Sequence, residues 1–389
     1  MRADKELAMF AGAAASNSFA FELYRQVGAK PGNTFFSPAS IAIALAMTDL
    51  GARGKTQEQM ERVLGLAATQ HTPFHEAYSA LNRHLGTFGE GAGVELRVAN
   101  QLWGQKRYAF LKSFLEATKT RYGTPLELVD FVKFPEQARQ LINQHVSERT
   151  GGKVPQLIPQ GVLSDLTRLV LTNAIYFKGR WDNPFHEELT KQDGTFHVSA
   201  RKQVQVPMML QGGLYAYTED SEAQWLELPY MGRDVAMLIA LPKQVDGLAR
   251  LEATLSAKTL EMKVSALTRQ QVSSLSLPRF KLSAAFELKD ALSILGMPLP
   301  FDMDRADFSG MVSKAKDDLC ISKVLHKADI EVNEEGTVVT IGTVMIGVSR
   351  SASTKSIVFT ADRPFVFLIR DTRSGAVLFL GKVVDPTRG

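Results

Sequence analysis

Arg350-Ser351 lies near the end of an unusual run, Glu334 to Val358, that reads EEGTVVTIGTVMIGVSRSASTKSIV. An exposed arginine followed by serine is a protease-labile bond. The residues leading to it do not resemble an ordinary loop. There is no proline, and no charge between Glu335 and Arg350. Valine, isoleucine and threonine dominate, the composition of a β-sheet. Connections longer than about 12–15 residues are uncommon and are usually functional or disordered. Strand chemistry in such a connection predicts a loop that can become a strand.

Other residues that could do chemistry give weaker patterns. Gly54-Lys55-Thr56 evokes a phosphate loop, but the first glycine of G-x-x-x-x-G-K-[ST] would fall on Asp49, and the segment follows a helical pattern instead of a strand. Helix-ending glycines followed by a Thr56 cap account for it better. Gly89, Gly91 and Gly93 have no strand leading into them and read as a loop. His71 and His75 have helical i, i+4 spacing, but Pro73 stands between them and no third metal ligand is apparent. The chain has no G-x-S-x-G elbow, and nothing singles out a catalytic triad or a carboxylate pair. The expectation is a protein that is not an enzyme and that needs no cofactor or metal.

The 389 residues are 45% hydrophobic and 22% charged, ordinary globular composition, with a net charge of only +4. The densest basic run, Lys106-Arg107 through Lys112 to Lys119 and Arg121, is interleaved with Phe110, Phe114 and Leu115, which predicts the solvated face of an amphipathic helix and no nucleic-acid partner. Cys320 is the single cysteine, so no intramolecular disulfide can form. There is no N-x-Ser/Thr sequon and no apolar stretch long enough for a membrane helix, so no membrane partner is expected. The N-terminal small-residue run continues at helical period through Phe19 and Leu23, which predicts a first helix with no signal peptide. An extracellular or periplasmic compartment is favoured, and a monomer is expected.

The positioning elements follow. A second helix starts at Ser37-Pro38 and runs to Gly51, and Thr56 to Gln59 fits a capping box for a third ending near Leu64. Helical pattern resumes at His75–Leu85 and Pro135–Glu148. Strand-like runs are Leu96–Trp103, Leu169–Phe177, Gln203–Met209, Trp225–Pro229, Val235–Ala240, Val272–Phe280, Ile321–Val332, Ile357–Phe359, Phe365–Arg370 and Ala376–Val384. Helices first and strands returning from both halves predict one α+β domain with large mixed sheets.

Several runs together resemble the serpin family of protease inhibitors: FFSPASIAIALAM with LGARGKT, LTNAIYFKGRWDNPF, VPMM, LELPY, LPRFKLS, HKADIEVNEEGT and ADRPFVFLIRDTRSGAVLFLGKVVDP. They occur in family order and spacing over essentially the whole chain. The resemblance implies a single serpin domain over residues 1–389, with three β-sheets, eight or nine helices and an exposed reactive-centre loop at 334–358. It also implies a metastable native state whose central sheet can accept that loop as another strand.

Family spacing counts the scissile bond from the hinge glutamate. With Glu334 as the first residue, the seventeenth is Arg350, which makes Arg350-Ser351 the reactive bond, with Val348 and Ser349 as loop subsites. The downstream length to Arg363-Pro364-Phe365 matches the longer variant of the family. The implied partner is a trypsin-like serine protease, trapped covalently as an acyl-enzyme. The implied hinge is Glu334, Glu335, Gly336, Thr337, Val338 and Val339. Ser37, Ser40, Asn173 and His326 match the shutter that controls sheet opening, and Trp181, Arg279 and Glu334 match the breach where the loop enters. On alternation, Thr337, Val339, Ile341 and Thr343 should face inward after insertion. Val339-Thr340-Ile341-Gly342 departs from the family's usual run of small alanines, which puts inhibitory efficiency in question and keeps a non-inhibitory serpin, cleaved as a substrate or acting as a carrier, as the alternative.

Overall fold

The computed structural model describes residues 2–65, 73–88, 93–312, 319–337 and 356–388. The helices among them are α1 (Arg2–Val27), α2 (Pro38–Asp49), α3 (Gly54–Val63), α4 (Phe74–Leu85), α5 (Lys112–Tyr122), α6 (Pro135–Arg149), α7 (Leu248–Thr254), α8 (Ala257–Ala266) and α9 (Lys289–Ile294). No helix among the described residues is long and apolar enough to cross a membrane.

Strands are numbered along the chain. A six-stranded sheet holds β2 (Val94–Gln105), β3 (Glu127–Val129), β4 (Leu169–Arg180), β10 (Phe280–Glu287), β11 (Ile321–Val332) and β12 (Gly336–Thr337), in spatial order β10-β11-β12-β4-β2-β3. The second sheet has nine strands: β1 (Thr34–Phe36), β5 (Lys191–Ser199), β6 (Lys202–Glu219), β7 (Ala223–Pro229), β8 (Val235–Pro242), β9 (Thr268–Pro278), β13 (Ile357–Thr360), β14 (Phe365–Asp371) and β15 (Val377–Val383). The expected three sheets thus appear as two hydrogen-bonded ones among the described residues. The physical reason is β6, whose first half pairs with β5 and whose second half pairs with β7, while β9 runs beside it.

Burial explains the order of layers. α2 is buried along its whole length, capped by Ser37 and started by Pro38, as its nearly unbroken apolar sequence requires. β4 is buried over its first nine residues and faces two cores. Leu171, Ile175 and Phe177 pack into the large core shared with α2 and the nine-stranded sheet. Val170 and Ala174 face the smaller core under α6 with Ile142 and Val146. A central strand covered on both faces reads as a continuous apolar run, and LVLTNAIYF does.

Two local expectations need correction. The capping box at Thr56 does not form: the helix begins earlier, at Gly54, and Thr56 Oγ1 instead accepts from the Asp307 N–H at 2.9 Å. Gly54 adopts φ +53 at the helix start, so it opens α3 and does not close α2. The single strand expected at Val272–Phe280 is two, divided at Arg279. Pro278 ends β9, and Phe280 begins β10 in the other sheet.

Candidate functional site

β4 and β11 lie side by side in parallel, with Leu325 to Asp329 in register with Thr172 to Tyr176. Beyond that run the two strands separate to admit β12. Gly336 pairs with Arg180 and Thr337 with Gly179 on one side, and Thr337 pairs with Val332 on the other. Among the described residues the central seam is therefore closed along most of its length, and Gly336 and Thr337 occupy it at one end.

A tight reversal delivers those two residues. The Asn333 N–H donates to the Gly336 carbonyl at 2.9 Å, while Asn333 Oδ1 accepts from the Glu335 and Gly336 N–H groups, each at 3.2 Å. Glu334 and Glu335 occupy the turn. Gly336 must be glycine on two counts. Its φ is +152, and a Cβ there would lie 2.0 Å from the Gly179 carbonyl oxygen.

The residues expected at the breach do converge. Glu334 is buried, with 3% of its side chain exposed, and Arg279 reaches it through Nε at 2.7 Å from both carboxylate oxygens. Thr190 Oγ1 donates to Glu334 Oε1 at 2.5 Å. A nearly dry carboxylate is tolerable only with such pairing. Trp181 donates its ring N–H to the Asn333 carbonyl at 3.0 Å and its backbone N–H to the Glu335 carbonyl at 2.9 Å. The Phe185 N–H donates to the Glu334 carbonyl at 2.8 Å. Trp181 also stacks on Tyr230, with ring centroids 4.6 Å apart and an interplanar angle of 13°.

Tyr230 then meets the hinge. Its hydroxyl hydrogen-bonds Thr337 Oγ1 at 2.8 Å, and both side chains are fully buried. The ring can lie there because Gly179 has no side chain: a Cβ at 179 would sit 2.6 Å from Tyr230 Cδ1. Burial raises the Tyr230 phenol well above its ordinary pKa, so it stays neutral. Thr337 thus points inward at the start of the seam.

Halfway down the closed seam lie the residues expected at the shutter. Asn100, Asn173 and His326 form one register row across β2, β4 and β11. Asn173 donates to Ser40 Oγ and to Asn100 Oδ1 and accepts from His326 Nδ1. The Ser37 N–H donates to His326 Nε2 at 3.2 Å, and Ser37 Oγ donates to the Leu378 carbonyl at 2.6 Å. Since Nε2 accepts, the proton of the neutral imidazole sits on Nδ1. Burial lowers the His326 pKa to about 3. The ring is further held against Phe286, stacked at 6.3 Å.

Asn100, Thr190, Tyr230 and Asn333 were not singled out by the sequence reading. Tyr230 ends the LELPY run and Asn333 precedes the hinge, so both had a positional signal; Asn100 and Thr190 had none. Val338, Val339, Val348, Ser349, Arg350 and Ser351 lie outside the described residues. His75 does not stand free for a metal: its Nε2 is 3.4 Å from Asp49 and its Nδ1 is 3.1 Å from the Tyr122 hydroxyl.

Comparison with known proteins agrees with this architecture. The family model described as Serpin (serine protease inhibitor) matches residues 14–386. Human Serpin B3 is 38% identical over 96% of this chain and 98% of its own length. The leukocyte elastase inhibitor of Bos taurus is 41% identical over 96% of this chain and 99% of its own. Among solved structures, uncleaved ovalbumin superposes with a TM-score of 0.87 at 31% identity, covering 96% of this chain and 99% of that one. The match of the family model and of these relatives along nearly the whole chain shows that it belongs to the serpin family.

Proposed function

We propose that this serpin is a suicide inhibitor of trypsin-like serine proteases, cleaved after Arg350. The observation that carries the reading is the hinge: Gly336 and Thr337 already pair with β4 and β11, so further insertion extends an existing strand and needs no new one. The guanidinium of Arg350 suits a specificity pocket that holds an aspartate. The protease serine Oγ attacks the Arg350 carbonyl. The Arg350–Ser351 bond breaks, the Ser351 amine leaves with a proton from the protease histidine, and an ester to Arg350 remains.

Register gives the consequence. Continuing the pairing of Thr337 with Gly179 by six residues brings Thr343 opposite Asn173, and the same step from Val332 brings it opposite His326. Insertion would therefore replace the Asn173–His326 contact with Thr343, on the inward face. Gly347 would meet Leu169 at the start of β4, and Arg350 would lie beyond it. From Gly336 to Arg350 the strand spans about 45 Å at ~3.3 Å per residue. A protease tethered to Arg350 would be carried to the far end of the sheet and held against this protein. Its oxyanion hole depends on sub-ångström positioning, so deacylation should stall. Loop insertion in serpins draws on stored strain.

The bulk of Val339 and Ile341 favours a second reading, a serpin cleaved without trapping. In the continued register these side chains would enter beside Phe177 and Ile175, which are already packed into the core. Incubation with trypsin and with elastase, followed by a denaturing gel, separates the readings. A covalent band at the summed mass with trypsin, lost in Arg350→Ala, is expected. Cleaved product without that band would support the second reading, and equal reaction of Arg350→Ala would refute the assigned bond.

A further inference from the structure

Asp49, the last residue of α2, is a carboxylate in an unusual place. Its side chain is wholly buried, and neither oxygen accepts a hydrogen bond among the described residues. Burial penalises the charged form of a carboxyl group unless donors surround it, so such a group tends to keep its proton. One ring faces it. His75, in the first turn of α4, places Nε2 at 3.4 Å from Asp49 Oδ2. The other ring nitrogen, Nδ1, lies 3.1 Å from the hydroxyl of Tyr122, the last residue of α5. The Tyr122 carbonyl in turn accepts from Asn82 Nδ2 of α4 at 3.1 Å. Three helices therefore meet on one short chain of polar groups.

That chain suits a single shared proton. Carried by Asp49, the proton faces Nε2; carried by the ring, it faces Oδ2. A phenol can donate or accept, so Tyr122 serves Nδ1 in either case. Charges reach the pair from each neighbouring element: Arg53 from the turn before α3, Glu61 from α3 and Arg121 from α5. Burial outweighs them. It raises the Asp49 pKa to about 8, with Glu61 adding to the rise and Arg53 opposing it. It lowers the His75 pKa to about 4, and Arg121 and Arg53 act the same way. Burial also pushes the Tyr122 phenol well above its ordinary value, so that group stays neutral. Between pH 4 and 8 the coupled pair holds one proton.

We propose that Asp49, His75 and Tyr122 form a one-proton clamp that holds the start of α4 against α2 and α5, and that loosens in mild alkali when the proton is lost. In an opened clamp aspartate and histidine would titrate near 3.9 and 6.5. Between pH 4 and 6.5 the opened and closed forms each hold one proton, so the two opposed shifts cancel. From 6.5 to 8 only the closed form holds it. The stabilisation is therefore fully present below 6.5 and is lost as pH rises through 8. The far end of α4 is held separately, by His84 Nε2 at 2.6 Å from Asp371 Oδ2. The clamp shares no residue with the shutter or the breach, and it does not depend on whether the chain traps proteases.

Hydrogen exchange of the Ala77 to Leu81 amides in the full chain, corrected for base catalysis, tests the clamp. Between pH 6.5 and 8.5 the wild type should lose at least tenfold more protection than Asp49→Asn, which has no proton to give up. His75→Leu leaves the carboxyl group to titrate alone. Its protection should already fall between pH 5 and 6.5, by at least tenfold more than that of the wild type. A side chain that merely filled space would move neither profile with pH. Circular dichroism checks that both variants fold, and should Asp49→Asn not fold, the His75→Leu profile decides. A profile parallel to the wild type in either folded variant would overturn the proposal.

Discussion

The two ends of the β4–β11 seam use different physics to hold the same pair of strands. At the breach end the strands are apart, and β12 fills the gap with its Thr337 hydroxyl tied to Tyr230. At the shutter the strands touch, and Asn173 and His326 close the row directly. The first end is anchored by a buried carboxylate paired with a half-exposed guanidinium and by backbone bonds to the hinge; the second by neutral groups that hydrogen-bond one another and the start of α2. On the proposed reading, one end starts insertion and the other resists it. Changes at the two ends should therefore separate entry of the loop from resistance to it.

The largest effect is expected from a charge at the entry point. Thr337 is fully buried, and an arginine there would have to sit unpaired beside Tyr230. An uncompensated buried charge costs several kcal/mol, and it is met at the first step of entry, before the pairing of the following residues can offset it. Thr337→Arg should abolish the covalent trypsin complex while cleavage after Arg350 continues, as read on a denaturing gel. Retained complex would show that entry does not begin at Thr337.

The shutter should answer to acid. His326 is neutral with its folded pKa near 3, while an unfolded histidine titrates near 6.5. As pH falls below about 6.5, the unfolded chain takes the proton first, so the stabilisation present above 6.5 shrinks and is gone by about 3. Protonating Nε2 would set N–H against the Ser37 N–H. Between pH 6.5 and 5 the wild type should lose roughly 2 kcal/mol more than His326→Gln, at about 1.4 kcal/mol per pH unit. Urea midpoints at the two pH values measure this. Parallel pH profiles would remove His326 from the lock.

Much of this contrast was legible in the sequence, and the part that was not has physical causes. The β11 strand Ile321–Val332 and the Ser37-Pro38 helix start rest on local pattern, which burial then reinforced. The split at Arg279 was missed because apolar periodicity runs across Pro278 without a break, although proline removes a ladder donor. Asn100 was missed because a lone asparagine in a strand carries no signal until β2 is in register with Asn173. Thr190 is likewise 144 residues from the Glu334 it binds. Long-range partners of this kind are set by topology, which short windows do not contain.

A smaller effect should follow from loosening the breach anchor. Among the described residues, Arg279→Ala leaves the Glu334 carboxylate buried with only Thr190 to satisfy it. Full burial of both partners would put the loss at about 3–5 kcal/mol. Arg279 is itself 36% exposed, so solvent screening reduces this to about 1–3 kcal/mol. Glu334→Gln in the Arg279→Ala background should restore part of the loss, since it removes the unpaired charge. If the double variant is no more stable than the single one, the pair does not anchor the hinge.

The smallest change is the most local. Tyr230→Phe deletes one hydroxyl and keeps the ring that stacks on Trp181 and packs against Phe177. The lost bond leaves Thr337 Oγ1 without its buried partner, and a neutral hydrogen bond is worth about 0.5–1.5 kcal/mol net. Hinge opening, read as hydrogen exchange of the Thr337 amide, should accelerate roughly 2- to 12-fold, since about 1.4 kcal/mol is a factor of ten. Exchange at the Asn173 and His326 amides should not change, because the shutter shares no bond with Tyr230. Acceleration at both ends would mean that the seam opens as one unit, and that the contrast between its ends is one of chemistry and not of sequence in time.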